Sequence, residues 1–334
     1  MRNREILDVV GARVYAKMDI TRPFIGDDGT VYAIRASNQR KLVKITPDDT
    51  NAVVDLYQFS QLAQSGFKSS GGSIFVCTSY RIGAQHNYPS EIWRSVDGGQ
   101  TFTKVLTTIA GGPIYWSYTE DSQGNLFIAE YGYKYSNEGK HARYIHKSAD
   151  GGVTWNVCFD TGAPYDSHIH NIEVDPYDES IFVSVGDTNT QQLWRSTDAG
   201  DNWTMIKEGI QHISCLFFES GILWGSDDHT GTITLMKRGT WEETIVYTHK
   251  NNEAMWYGMT RDTNGNVYAH AHDDSRPGWH YTIIGSGEKD NFSMWRDLDY
   301  ESTFSMSSFI NGRCYCDGYV MKSLQTQKRK PIRA

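Results

Sequence analysis

Apolar residues along this chain come in short runs that alternate with polar ones. Between the runs Gly, Asn, Asp and Ser cluster, while proline is scarce at eight in 334 residues. Alternation at period two marks half-buried strands, and the intervening residues are those that form tight turns. No segment carries a convincing amphipathic-helix spacing, so the pattern predicts an all-β chain of antiparallel strands. One unit recurs, a turn followed by a short strand with an aromatic at its centre. It reads "DDGTVYAI" at Tyr32, "SGGSIFVC" at Phe75, "SQGNLFIA" at Phe127, "YDESIFVSV" at Phe182, "ESGILWGS" at Trp224, "TNGNVYAHA" at Tyr268 and "INGRCYC" at Tyr315. Successive aromatics lie 43, 52, 55, 42, 44 and 47 residues apart. A four-stranded propeller blade spans roughly 40–50 residues. Seven copies of that size use the whole chain, so residues 1–334 are expected to form a single domain, a seven-bladed β-propeller of four-stranded antiparallel blades. The last copy leaves room for an outer strand, "GYVMKS", but not for a complete blade. Strand exchange between the termini, with "ILDVVGARVY" lending the missing strand, is expected to close the ring.

Three phrases repeat more closely: "IWRSVDGGQTFTKV" from Ile92, "IHKSADGGVTWNVC" from Ile145 and "LWRSTDAGDNWTMI" from Leu193. They align as Ser-x-Asp-x-Gly-x-x-aromatic, through Ser95, Asp97, Gly99 and Phe102, then Ser148, Asp150, Gly152 and Trp155, then Ser196, Asp198, Gly200 and Trp203. Ser and Asp oxygens can cap backbone N–H groups in such a turn, Gly supplies a left-handed conformation, and the aromatic plugs the gap between sheets. The phrases resemble the Asp-box, or BNR repeat, of sialidase-like β-propellers. That resemblance covers three copies in the second, third and fourth blades, with a decayed version, "ITLMKRGTW", further on. It implies boxes between the third and fourth strands of a blade, at the outer rim and away from the ligand funnel. Asp97, Asp150 and Asp198 are therefore expected to be structural. "ITRPFIGDDGTVYAI" is similar to the Arg-Ile-Pro phrase that opens the first blade of sialidases, with the residue between Arg22 and Pro23 missing. There the arginine holds the sialic-acid carboxylate.

Net charge is −8, and the one basic block is the terminal "KRKPIR". Sequence-independent nucleic-acid binding needs a continuous basic face, so no nucleic-acid partner is expected. No run of about eighteen apolar residues is present, and membrane insertion is not expected. The N-terminus lacks the apolar core of a secretory signal, which favours a cytoplasmic or virion-associated location over Sec secretion. The five cysteines, odd in number and within predicted strands, are expected to be reduced core residues.

In a blade the first strand, A, starts on the face where the second, B, ends, so residues at those points meet at one mouth of the central channel. Six of the eleven histidines fall there, with aromatics and arginines. Elimination at a uronic acid needs a cation for the carboxylate, a base for the C5 proton and an acid for the leaving oxygen. Arg22 or Arg81 suits the first role, His168 or His170 the second, and Tyr131 or Tyr257 the third. Tyr115, Trp116, Asn171, Tyr133, Arg143 and Trp256 suit sugar binding. His168 with His170, and His270 with His272, alternate along strands, so each pair projects to one side. A divalent metal ion is weighed at His270 and His272 with His229 and Asp228. The expected partner is a polysaccharide or cell-surface glycan, met by a polysaccharide lyase or glycoside hydrolase. The alternative is a non-catalytic bacteriophage tail or receptor-binding protein, assembled in a virion or as a homo-oligomer.

Overall fold

The computed structural model describes residues 14–26, 28–46, 51–80, 88–114, 116–132, 134–135, 140–162, 168–187, 190–228, 230–249, 254–261, 265–273, 279–288, 291–301, 313–316 and 319–322. At 14–17, 134–135, 140–141, 266 and from 272 onward the description is of the backbone. Among the described residues there is no helix, and six four-stranded antiparallel sheets follow one another along the chain. In each, strands A to D pair antiparallel in sequence order, and in the third sheet a small two-stranded sheet, Lys134–Tyr135 with Lys140–His141, stands between strands B and C.

The six A strands are Ile20–Ile25, Leu62–Lys68, Tyr118–Glu120, Ile169–Val174, His212–Phe217 and Ala254–Arg261. A strands of successive sheets touch one another, as in the first and second sheets and from the third through the sixth. Strand D, by contrast, consists of exposed and half-buried residues in the first five sheets, with Phe159 its one buried member. The A strands thus line the middle and the D strands the perimeter. A separate three-stranded sheet joins Val14–Lys17 to Tyr319–Lys322 and Arg313–Cys316, pairing the first described strand with the last. Arg313–Cys316 also lies against the first A strand.

The recurring aromatic is the wedge between sheets. Tyr32, Phe75, Phe127 and Phe182 are each at most 3% exposed, and each packs into the apolar cluster shared with the following sheet. Trp224 departs from this rule. It joins Phe182 in the cluster shared with the preceding sheet, and Leu223 takes the wedge position toward the sixth sheet. One residue of offset in a strand reverses the face, because successive side chains point to opposite sides.

The Ser-x-Asp-x-Gly turns sit between strands C and D of the second, third and fourth sheets. In each the Gly N–H donates to the Ser Oγ at 2.9 Å. Asp97 accepts from the Gln100 and Thr101 N–H groups, Asp150 from those of Val153 and Thr154, and Asp198 from that of Asn202. The Thr101 and Thr154 hydroxyls on Asp97 and Asp150, the Asn202 side-chain amide on Asp198, and these backbone N–H groups hold all three carboxyls below the ordinary aspartate range, Asp198 at about 2. The aromatic that follows docks on the preceding sheet: Phe102 on Tyr57 and Phe59, Trp155 on Phe75, Trp203 on Phe159. In the fifth sheet the capping residues are lost, yet Trp241 still packs on Phe182 at 5.6 Å with the Arg195 guanidinium 4.9 Å from its ring.

Candidate functional site

Five of the A strands share a defect close to their start. Pairing with strand B slips between Thr21 and Phe24, Ala63 and Ser65, Ile169 and Asn171, His212 and Ser214, and Met255 and Gly258. A bulge leaves a residue out of the ladder and re-aims its side chain. The residues released are Arg22 with Pro23, Gln64, His170, Ile213, and Trp256 with Tyr257. Arg22 has a left-handed backbone, φ 52°, where a non-glycine residue is uncommon.

The same turn of chain clamps neighbouring sheets together. Ser65 donates to the Pro113 carbonyl at 2.8 Å, Asn171 to Ile213 at 2.9 Å and Ser214 to Trp256 at 2.5 Å. Arg22 reaches the Ala63 carbonyl at 3.4 Å and Gln39 at 3.2 Å. In the second, fourth and fifth sheets the side chain just after the bulge thus bonds to the segment that begins the next sheet, and in the first sheet the bulged Arg22 does so itself.

At the fourth sheet this produces a compact polar cluster. His170 Nε2 lies 2.8 Å from Asp187 Oδ1, and His168 Nε2 lies 3.5 Å from Asp187 Oδ2. The two imidazole centroids are 4.4 Å apart. Both histidines are 1% exposed. Gln211, at the head of the fifth sheet, donates to Asp187 at 2.7 Å and reaches Asp227 at 3.3 Å. Tyr131 closes the cluster edge-on, its ring 4.3 Å from His168 and 5.9 Å from His170. Burial pushes the Asp187 carboxyl up, but the His170 hydrogen bond, the adjacent imidazoles and Gln211 together outweigh it, and the group ends below its ordinary range.

Backbone chemistry sets these positions. Gly186, φ 82°, donates its N–H to the His168 carbonyl at 2.9 Å, and a Cβ there would stand 2.2 Å from the Thr190 carbonyl oxygen. Thr190 in turn ties down Asp187 through its N–H and hydroxyl. Tyr131 is placed by Glu130, whose fully buried carboxylate accepts the N–H groups of Ile109, Ala110 and Gly111 at 2.6–3.1 Å and meets His146 Nε2 at 2.7 Å. That carboxylate is a staple for the 109–111 turn.

The other expected residues are distributed as follows. Trp116 and Tyr257 stack in parallel, 5.7 Å apart at 1°, although two whole sheets separate them in chain order. Their contact spans the middle of the molecule. Trp256 is fully buried against Tyr247 and His249. Arg143 pairs with Asp160 at the start of strand C of the third sheet. His270 is fully buried in strand B of the sixth sheet, opposite Gly258, and the His272 backbone pairs with Met255 and His280. Asp228 accepts from the N–H and hydroxyl of Thr230. Arg81, Tyr115, Tyr133 and His229 lie outside the described residues. Among those described, one group of His, Cys, Asp and Glu has donor atoms mutually within 4.8 Å: His168, His170 and Asp187. Gln211 escaped sequence reasoning, and its signal was its place next to His212 at the head of an A strand.

A family profile described as Sortilin-Vps10 (Sortilin, neurotensin receptor 3) matches residues 90–263, just over half of the chain. The chain belongs to the Sortilin-Vps10 family. The matched span of this Sortilin-Vps10 chain holds all three Ser-x-Asp-x-Gly turns and the His168–His170–Asp187 cluster. No curated protein matches its full sequence. Among solved structures it is similar to virginiamycin B lyase from Staphylococcus aureus, at 12% identity and TM-score 0.63, over 92% of this chain and 97% of that one. YCF48 from Cyanidioschyzon merolae is similar at 13% identity and TM-score 0.62, over 94% and 99%. The GH74 xyloglucanase from Xanthomonas campestris is similar at 13% and 0.65, over 95% of this chain but 54% of that one. At such identities the likeness establishes the propeller fold of this Sortilin-Vps10 member and nothing of its chemistry.

Proposed function

We propose that this propeller recognises a polysaccharide at the mouth where strands A begin and strands B end, and acts there on an acidic sugar as a polysaccharide lyase. The observation that carries the reading is the convergence of His168, His170, Asp187, Tyr131 and Gln211 from three sheets on one cluster. A buried imidazole held by a carboxylate is oriented for proton abstraction, and a phenol beside it is placed to return a proton to the leaving oxygen. Trp116 and Tyr257 offer an aromatic platform for a sugar face. Arg22 and Arg81 remain the proposed partners of the uronate carboxylate.

The architecture proposed with it is a ring of seven blades, the seventh built on Arg313–Cys316 and Tyr319–Lys322 and closed by Val14–Lys17. Hydrogen-bonded Ser-x-Asp-x-Gly turns between strands C and D support the Asp-box resemblance. A non-catalytic recognition module is the second reading, favoured by a family description that names a receptor. Incubation with a panel of uronate-containing polysaccharides, followed by ultraviolet absorbance of the unsaturated product, tests the enzyme. A rise that His170→Asn abolishes supports elimination. Retention of the protein by a polysaccharide without any rise leaves the recognition module in its place.

A further inference from the structure

We propose that His168, His170 and Asp187 form a binding site for a divalent transition-metal cation, with Gln211 and Asp227 around its open side. Two imidazoles and a carboxylate on one face are the donor set that suits zinc, manganese or iron. Donor atoms in a tetrahedral site at ordinary metal–nitrogen distances stand about 3.3 Å apart. Here the His168–Asp187 separation is 3.5 Å and the His170–Asp187 separation 2.8 Å. The two contacts are to different oxygens of the carboxylate, and one donor atom from each of the three residues lies within 4.8 Å of the others, so a cation held by all three would draw them together.

An independent observation comes from His170 itself. Its side chain is 2% exposed, yet Nδ1 has no hydrogen-bond partner, and the nearest carboxylate oxygen, on Asp227, stands 3.8 Å away. A buried polar atom left in this state is destabilising unless something binds it. If Nε2 takes the metal, Nδ1–H becomes the outer-shell donor aimed at Asp227, the arrangement that fixes the tautomer of a ligating histidine. Gln211, already bonded to Asp187, would steady the carboxylate in the same way. Both outer partners come from the fifth sheet, so the site bridges two blades.

The role of this cation, to receive a sugar carboxylate at its open position, rests on the polysaccharide reading. With the cation bound both imidazoles are ligands, so neither then serves as the base and the cation stands in place of that role, while the site itself does not depend on the reading. The full chain is stripped with a chelator, dialysed and titrated with Zn²⁺ or Mn²⁺ alone, with bound metal measured by elemental analysis and Co²⁺ absorption reporting nitrogen ligands. One equivalent per chain is expected. Asp187→Asn, which keeps the side-chain shape, and His170→Asn should each weaken binding more than about 100-fold, and Gln211→Ala roughly 10-fold. Asp201→Asn, in the exposed turn between strands C and D of the fourth sheet, should leave it unchanged. Thermal unfolding confirms that each variant is folded. Stoichiometric binding that survives both Asp187→Asn and His170→Asn, or no binding by the wild type, overturns the site. Polysaccharide retention is then measured with and without the metal. Metal binding without retention removes the glycan reading and leaves the site, whereas retention by a protein that takes no metal does the reverse.

Discussion

Gly151 and Gly152 are adjacent in the third sheet's Ser-x-Asp-x-Gly turn, and both are left-handed, at φ 71° and 86°. Replacing either by alanine costs the backbone about 1 kcal/mol, because a Cβ disfavours that conformation. The surroundings differ. A Cβ on Gly151 meets only an Arg94 guanidinium nitrogen at 3.8 Å, whereas a Cβ on Gly152 lands 2.3 Å from Phe75 Cζ and 2.4 Å from Cε1. Phe75 is 1% exposed, wedged between the second and third sheets with Trp155 against its ring. Its ring has nowhere to retreat, so overpacking adds about 1–3 kcal/mol. Gly151→Ala is therefore expected to lose about 1 kcal/mol and Gly152→Ala about 2–4 kcal/mol, read from urea unfolding midpoints at unchanged slope. Equal losses in the two variants would refute the claim that this turn docks against the neighbouring blade.

Four further outcomes follow from the packing. Glu243 is held at about 2 by His212, Lys207 and Thr234 against the upward push of burial; a lowered carboxyl stabilises above its unfolded value and loses that contribution as pH falls from about 4.5 toward 2. Glu243→Gln should flatten acid unfolding in that window by up to about 3 kcal/mol. Burial raises Glu173 to about 8, so its penalty is absent below pH 4.5 and grows through neutrality; Glu173→Gln should raise the melting temperature at pH 9 and not at pH 4. Glu130→Gln removes the charge that three N–H groups and His146 share and should cost about 2–4 kcal/mol by denaturant unfolding. A double-mutant cycle on Trp116 and Tyr257 should give a coupling of about 1 kcal/mol, and zero coupling would dismiss their contact across the middle.

The fold was legible because its signals are local. A turn, an alternating strand and a central aromatic each report one blade, and the six four-stranded sheets follow the repeats of Tyr32 through Tyr268. The misphased Trp224 shows the limit of that reading: both Leu223 and Trp224 are large and apolar, and strand pairing decides which faces forward. The site was less legible. Alternation alone put His168 and His170 on one side, whereas they converge through a bulge that leaves His170 out of the ladder. A bulge is a property of two paired strands and leaves no mark on one of them. Gln211 and Asp187 were joined by sheet-to-sheet docking, across 24 residues of chain.

Crystals soaked with a uronate oligosaccharide that the protein retains would test the central claim most directly. The sugar is predicted at the mouth, within hydrogen-bond distance of His170 or Tyr131 and against the Trp116–Tyr257 pair. Sugar bound at the opposite rim, along the turns of Asp97, Asp150 and Asp198, would contradict it.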